Sequence, residues 1–312
     1  RGRLRRRSTL PSLLPPPALP SDLHLRRGRA LAVSQVLAAA TLWGVSGVVA
    51  RSLFLHDVDP AHLVQVRMLI GGLALLPVVA LRGSAAIARR HLLGVAGYAA
   101  MLVAVQLFYF EAIAAAGVAV AIFLQYTAPL LVGAWEAVRA RRMPSGPVAT
   151  ALAIAVAGSG LLVLPGAGVH VPAAGFAWGI AAAFGMAGAT VAGGALRRRG
   201  VRATPLLAYG LVLGSFAFAP VRTPWNALAA VPLASWPYFA YVAIFATAVP
   251  FTLYAAALAA LPGSVAILLA MLEPVLAVVL AWAILGEALT PLQIAGGALI
   301  LAAIALTARS RE

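Results

Sequence analysis

The chain has 312 residues, of which 63% are hydrophobic and only 10% are charged, and its formal net charge is +15. A soluble globular protein carries about 25% charged residues, so this composition excludes an ordinary soluble domain and indicates a membrane protein. The chain has no cysteine, which excludes a disulfide framework and a thiolate metal site.

Residues 1–30 are rich in arginine and proline and contain no apolar run of signal-peptide length, so we expect a disordered cytoplasmic tail. Ten apolar stretches follow, each of about 20 residues, the length that crosses a bilayer as an α-helix. The predicted spans are residues 31–53, 61–81, 91–115, 117–138, 147–165, 173–196, 204–221, 237–261, 263–285 and 291–308. Because such long runs lack period-2 alternation, the predicted fold class is an all-α polytopic membrane protein.

Two of these predicted spans begin with residues that are typical of helix starts. Asp59 precedes Pro60 at the start of the second span, and Thr290 lies three residues before Gln293 at the start of the tenth. An Asp or Thr at the cap position accepts a hydrogen bond from an otherwise unpaired backbone N–H group, and a Gln three residues later completes a capping box. We therefore expect both pairs to fix helix boundaries.

The arginines are distributed according to the side of the membrane. With the N-terminus inside, 20 of the 23 basic residues lie on the cytoplasmic side; Arg51 and Arg222 lie outside, and Arg67 lies within a span. This bias follows the positive-inside rule and predicts that both termini are cytoplasmic, in an integral protein of a bacterial inner membrane. The arginines of a nucleic-acid-binding surface would not be confined to one side of successive membrane spans, so we expect no nucleic-acid partner.

The chain contains an internal repeat. A shift of 145 residues aligns residues 109–129 with residues 254–274 without a gap, and 9 of the 21 positions are identical, including Tyr109 with Tyr254 and Pro129 with Pro274. Each half then contains five spans, and because five is odd, the second half is inverted relative to the first. Inverted repeats of this kind are typical of secondary transporters, which bind substrate near the midplane between the halves.

Several short segments also match a known family in their order and spacing. They are Leu42-Trp43-Gly44, Thr127-Ala128-Pro129-Leu130, Leu272-Glu273-Pro274-Val275, Leu285-Gly286-Glu287-Ala288-Leu289-Thr290, Gln293 and Gly296-Gly297. In these segments the chain resembles EamA-like exporters of the drug/metabolite transporter superfamily. The resemblance implies ten helices in two five-helix repeats, residues 31–166 and residues 173–309, and export of a small metabolite across the lipid bilayer.

Glu273 is the most specific candidate functional residue. It lies near the middle of the ninth predicted span, where an ionisable side chain is rare and is a functional hypothesis by default. The neighbouring Pro274 removes a helix hydrogen bond and frees the carbonyl of Ala270 for another partner, and Pro129 is the corresponding helix break of the first repeat. We interpret Glu273 as a proton-coupling residue; a structural carboxyl bonded to a neighbouring helix is the alternative.

Other polar residues within the spans are candidates for a gate or a substrate cavity. Arg67 and Glu111 lie at similar predicted depth and could pair as an external gate or as a helix anchor, or Arg67 could hold a substrate carboxylate. Aromatic and amide side chains at central depth suit the cavity of a zwitterionic or amphiphilic metabolite. These predicted cavity residues are Trp43, Tyr109, Gln125, Tyr126 and Tyr254.

Motifs for enzymatic chemistry are absent from the sequence. Gly158-Ser159-Gly160 has no histidine at matching depth, no P-loop is present, and the five histidines have no metal-ligand spacing. We therefore predict a secondary transporter with no cofactor and no metal. The resemblance implies that it exports an amino acid or related compound by alternating access, and a proton is a candidate coupling ion. A nucleotide-sugar or drug carrier of the same superfamily remains an alternative, as does a membrane enzyme or lipid-handling scaffold. The oligomeric state stays open.

Overall fold

The computed structural model of the chain describes residues 20–54, 56–81, 87–116, 118–141, 146–163, 172–276, 279 and 290–309. Within these ranges the regular structure is helical, with no strand. Six helical segments are long and apolar enough to cross a membrane: Arg27–Ser46, Pro60–Leu81, Arg89–Ala116, Val120–Ala140, Ala173–Arg198 and Leu233–Ala257. Four shorter apolar helices lie at the positions of the predicted fifth, seventh, ninth and tenth spans.

From α2 onward, the helices of the first half follow the predicted spans closely. They are α1 (Pro20–Phe54), α2 (Pro60–Leu81), α3 (Leu92–Ala116), α4 (Val118–Gln125), α5 (Ala128–Ala140) and α6 (Gly146–Val163). The predicted fourth span is thus two helices, separated by a turn at Tyr126 and Thr127. Pro129 lies in the first turn of α5, where its missing N–H group costs no helix hydrogen bond.

The second half contains more short helices. They are α7 (Ala173–Arg198), α8 (Ala203–Phe216), α9 (Pro224–Ala229), α10 (Trp236–Ala243), α11 (Val249–Ala257), α12 (Gly263–Ala270) and α13 (Pro291–Arg309). A π-helical segment, Ile244–Ala248, joins α10 to α11 within the predicted eighth span. After α12 a turn at Met271 separates it from a helical segment at 272–276. Gly286 and Glu287 lie outside the described residues.

The start of α1 corrects the predicted extent of the N-terminal tail. The sequence predicts a disordered tail up to residue 30, whereas α1 begins at Pro20 and continues without interruption to Phe54. Proline is compatible with the first turn of a helix, and no second proline occurs before Phe54, so the sequence contains nothing that ends the helix early. Residues 1–19 lie outside the described residues.

Both predicted helix caps are present. Asp59 Oδ1 and Oδ2 accept hydrogen bonds from the backbone N–H groups of Ala61 at 3.3 Å and His62 at 3.2 Å. Thr290 Oγ1 accepts from Gln293 N at 3.2 Å, and Gln293 Oε1 accepts from Thr290 N at 3.0 Å, which is the reciprocal pattern of a capping box. These caps explain why α2 and α13 begin where the sequence predicts.

Helices of the first half pack mainly against helices of the second. The pairs are α1 with α11, α2 with α8, α3 with α7, α5 with α12 and α6 with α13. Glycines permit close backbone approach at these crossings: a Cβ atom on Gly185 of α7 would lie 2.5 Å from the backbone N of Val105 of α3. Likewise, a Cβ atom on Gly158 of α6 would lie 2.7 Å from the carbonyl oxygen of Gly296 of α13. Small residues at helix contacts are the usual way that membrane helices pack without a hydrophobic driving force.

Candidate functional site

A cavity of about 50 Å³ lies between the two halves, close to the helix interruptions. Its polar lining residues come from five helical segments of both halves. They are Trp43, Ser46, Arg67, Gln106, Tyr109, Gln125, Tyr126 and Glu273, and the apolar ones are Val105, Phe110, Met186 and Phe251. A cavity of this size accommodates a few water molecules and is much smaller than the sites that usually bind metabolites.

Most of the predicted cavity residues line this volume. Trp43, Tyr109, Gln125 and Tyr126 do so, whereas Tyr254 is not among the lining residues. The Tyr254 ring packs against Trp43, with 5.7 Å between the ring centroids, and its hydroxyl lies 3.0 Å from Thr190 Oγ1. Tyr254 therefore supports the cavity wall from behind and connects α11 to α7.

Arg67 is buried at the cavity wall, with 4% of its surface exposed. Its Nε donates to Thr247 Oγ1 at 2.7 Å, its Nη2 donates to the carbonyl of Ala246 at 3.0 Å, and its guanidinium lies 4.8 Å from the centroid of the Phe110 ring. The Ala246 carbonyl lacks the usual α-helical donor because Pro250, four residues later, has no N–H group. The π-helical segment thus supplies the polar partners that a buried guanidinium requires.

The predicted contact between Arg67 and Glu111 is not formed. Within the described residues, the polar partners of Arg67 are Thr247 and Ala246 of the second half. Glu111 is half-buried and does not line the cavity. Similar depth in the membrane does not bring the two side chains together, because α2 packs against α8 and α10 and directs Arg67 toward the π-helical segment.

Glu273 and Tyr126 form a second polar contact between the halves. Tyr126 Oη lies 2.6 Å from Glu273 Oε2 and 2.9 Å from the carbonyl oxygen of Ala270. Ala270 is four residues before Pro274, so its carbonyl has lost its helical donor, as the sequence predicted. The partner of that carbonyl is a side chain of the first half.

Two further polar atoms at the cavity are buried without a partner among the described residues. They are Tyr109 Oη and Gln106 Oε1; the Gln106 amide nitrogen donates to the carbonyl of Leu102 at 3.4 Å. Buried polar groups are normally hydrogen-bonded, so an unpaired hydroxyl and an unpaired amide oxygen beside a cavity indicate a place for a polar ligand.

A larger vestibule of about 630 Å³ opens between α5, α7 and the connection from α11 to α12. Its charged lining residues are Glu136, Arg139 and Arg198, and Thr190 also lines it. Glu136 bridges the halves here: its Oε2 accepts from Ser264 Oγ at 2.6 Å and its Oε1 accepts from Ser264 N at 3.4 Å. The hydrogen-bonded pair of Thr190 and Tyr254, which packs on Trp43, lies between this vestibule and the central cavity.

Both halves of the chain match one known protein family. Residues 30–164 and residues 173–309 each match the EamA-like transporter family. The chain belongs to this family. It is therefore an integral membrane transporter and not an enzyme, and the two matched ranges correspond to the two repeats found in the sequence.

Individual relatives of this EamA-like protein are named as bacterial transporters. The chain is 28% identical over 279 residues to the uncharacterized inner membrane transporter YicL of Salmonella typhimurium, covering 87% of this chain and 93% of the relative. It is 27% identical over 270 residues to the uncharacterized transporter YwfM of Bacillus subtilis, covering 85% and 90%. A solved crystal structure shares the fold with a TM-score of 0.73 at 20% identity, over 90% of this chain and 99% of that one.

Sequence reasoning missed several residues that line the EamA-like cavity or bind its side chains. Gln106 lies in the middle of the third span, and the rule that singled out Glu273, that polar residues within spans are functional candidates, applies to it equally. Ser46 and Thr247 carry a weaker signal, because Ser and Thr also bond to their own helix backbone, as Ser46 does to the carbonyl of Trp43 at 2.8 Å. Pro250 was a usable signal for Thr247, since it marks the helix distortion where Arg67 binds.

Proposed function

We propose that this EamA-like transporter exports a small zwitterionic metabolite, an amino acid or a related compound, and that protonation of Glu273 is coupled to transport. The observation that carries the proposal is the joint position of Arg67 and Glu273 on one cavity between the two repeats. A zwitterion carries one carboxylate and one ammonium group, which are complementary to a guanidinium and a carboxylate.

The donors of Arg67 support a role in binding a substrate carboxylate. A guanidinium has five N–H donors, of which Nε and one on Nη2 bind Thr247 and Ala246. The remaining donors are available for an anionic group, and the contacts to the π-helical segment hold the guanidinium plane in place. Bidentate binding of a carboxylate is the interaction for which arginine is better suited than lysine.

The size of the cavity supports transport by a change of conformation. Sites for small molecules usually have volumes of about 300–1,000 Å³, so a volume of about 50 Å³ must widen before it admits a metabolite. The cavity lies between two halves that pack helix against helix, and the vestibule lies on the side that the arginine distribution predicts to be cytoplasmic. We infer that the inverted repeats move relative to one another and expose the cavity alternately to each side.

Counterflow in proteoliposomes tests the substrate class. Liposomes that contain the purified transporter are loaded with unlabelled amino acids, nucleotide sugars or cationic drugs, and uptake of the matching labelled compound is measured. We expect exchange of an amino acid or related zwitterion, because both charges of the cavity are then satisfied. Exchange of only a nucleotide sugar or only a cationic drug would assign the transporter to another substrate class and overturn the proposal.

The variant Glu273→Gln tests proton coupling. We expect it to retain counterflow but to lose accumulation driven by a pH gradient, because an amide at this position neither takes up nor releases a proton. Asp57→Asn is the control: it makes the same chemical change at an exposed position after α1 where the backbone has a φ of 57°, a conformation that asparagine also tolerates. Full gradient-driven accumulation by Glu273→Gln would contradict the coupling role.

A further inference from the structure

The hydroxyl group of Tyr126 lies between two acceptors that it cannot both satisfy. Its oxygen is 2.6 Å from Glu273 Oε2 and 2.9 Å from the carbonyl oxygen of Ala270, and only 4% of the Tyr126 surface is exposed. A phenol has one hydrogen to donate and can also accept. The proton on Glu273 therefore decides which hydrogen bonds this group forms.

With a protonated Glu273, both the Tyr126 hydroxyl and the Ala270 carbonyl have a hydrogen-bond partner. The carboxyl O–H group donates to Tyr126 Oη, and the Tyr126 hydroxyl donates to the carbonyl of Ala270. When the proton leaves the O–H bond of Glu273, the phenol hydrogen rotates toward the carboxylate, because a charge-assisted hydrogen bond is about twice as strong as a neutral one. The Ala270 carbonyl then has no donor, since Pro274 has also removed its helical one.

We propose that Tyr126 is a positioning residue that couples the protonation of Glu273 to the helix interruption at Ala270–Pro274. Protonation ties the turn between α4 and α5 to both Glu273 and the Ala270 carbonyl, whereas ionisation holds Tyr126 at Glu273 alone and frees the Ala270 carbonyl at the end of α12. The inference rests on the proposed proton coupling and adds the part of the backbone that responds.

The other ionisable groups that line the cavity with Glu273 favour the same two arrangements. They are Arg67 on α2 and Tyr109 on α3, in addition to Tyr126. The guanidinium of Arg67 attracts the ionised carboxylate, and the hydroxyl of Tyr109, which has no partner among the described residues, lines the same cavity. Ionised Glu273 therefore has partners on the first repeat, while the Ala270 carbonyl that Tyr126 leaves has none among the described residues.

Spin labels on the two repeats measure the expected change. The chain has no native cysteine, so Val138→Cys on α5 and Ala259→Cys after α11 carry the only two labels, both at exposed positions. The distance between the labels is measured by electron spin resonance in mildly acidic and mildly alkaline buffer. We expect two distance populations whose ratio changes by about fivefold, the factor that one hydrogen bond of ordinary net strength provides.

Three variants then separate the inference from the proposed function. Tyr126→Phe, in the labelled background, should abolish the pH-dependent change in the ratio, and Tyr98→Phe, which removes a buried phenol outside the cavity, should leave it intact. Glu273→Gln should give the acidic ratio at both pH values, because its amide donates permanently to Tyr126 Oη. This third variant gives an answer even where Tyr126→Phe does not fold.

The outcomes that contradict the two proposals are different. A ratio that does not depend on pH in the labelled protein with Tyr126 present overturns the proton coupling itself. A pH-dependent ratio that persists in Tyr126→Phe, or a Glu273→Gln variant held at the alkaline ratio, overturns the role of Tyr126 and leaves the proposed function standing.

Discussion

Arg67 shows how a charged residue is accommodated in the centre of a membrane protein. Its partners are a threonine hydroxyl, a carbonyl that proline has released and an aromatic ring, so the guanidinium is compensated without an ion pair to Glu111. The sequence marked Arg67 as a candidate for a gate, a helix anchor or a substrate contact, because charges within spans are rare. It could not predict the partners, since these lie about 180 residues away and depth alone does not tell which helices touch.

The variant Arg67→Lys tests this arrangement. Lysine lacks the planar fork that reaches Thr247 Oγ1 and Ala246 O together while further donors face the cavity. We expect counterflow to fall by about tenfold or more, because loss of one charge-assisted hydrogen bond costs about 1.5–3 kcal/mol. Arg199→Lys, at an exposed position after α7, should retain normal counterflow, and equal counterflow of the two variants would contradict the role of the guanidinium.

At the scale of helices, the interruptions of the fourth, eighth and ninth spans build the site. Each contains a proline: Pro129, Pro250 and Pro274. Proline in a long apolar run predicts a break or kink, so the positions of two breaks, at Pro129 and Pro274, followed from the sequence. The acceptors at Ala246 and Ala270 receive donors from the opposite repeat, and this pairing is a property of tertiary packing that no local pattern encodes.

The variant Pro274→Ala tests the importance of a released carbonyl. It restores a backbone N–H group that can bond to the Ala270 carbonyl and compete with Tyr126. We expect gradient-driven transport to fall by several-fold while the midpoint of thermal unfolding stays equal or rises. Pro77→Ala makes the same change at an exposed position within α2 and should leave transport unchanged; a similar loss in both variants would indicate a general effect of helix straightening.

The crossing of α3 and α7 depends on the absence of a side chain at Gly185. An added Cβ atom would lie 2.5 Å from Val105 N and 2.8 Å from the carbonyl carbon of Ala104, both backbone atoms that do not move separately from their helix. Gly185→Ala should therefore lower the free energy of unfolding by about 1–3 kcal/mol, the usual cost of overpacking.

Gly97→Ala is the matched control on α3, because an added Cβ atom at Gly97 meets nothing within 4 Å. There we expect stabilisation by about 0.5–1 kcal/mol, since alanine loses less conformational freedom in a helix than glycine. Thermal unfolding in detergent measures both variants, and a Gly185→Ala variant as stable as Gly97→Ala would show that the two helices can separate without cost.

At the scale of the whole molecule, the positions of the spans and the duplication were predictable from the sequence. The point at which α1 begins and the π-helical segment within the eighth span were not. The helix limits lie within a few residues of the predicted ones from α2 to α7, because apolar length and caps act locally. The helix α1 begins at Pro20, ahead of the predicted first span, because arginines are compatible with a helix that projects beyond the bilayer. The ten-span count and the placement of the termini remain predictions of the sequence.

The arginine distribution makes a prediction for the orientation of the molecule. With 20 of 23 basic residues on one side, a C-terminal green fluorescent protein fusion should fluoresce in bacterial cells, and a C-terminal alkaline phosphatase fusion should be inactive. A reporter placed after Arg222 should give the opposite pair of results. Phosphatase activity at the C-terminus would contradict the positive-inside assignment and would place the vestibule on the outer face.

The narrowness of the central cavity has a thermodynamic consequence for any measured affinity. Because the cavity has a volume of only about 50 Å³, a ligand must separate lining side chains that contact one another, and this separation costs part of its binding free energy. The observed dissociation constant then exceeds the intrinsic one by the reciprocal of the fraction of molecules that are wide enough to bind. Replacing the lining residue Phe251 with alanine should consequently lower the dissociation constant of bulky ligands, although it removes contacts to them. In a preformed pocket the same truncation would raise the dissociation constant.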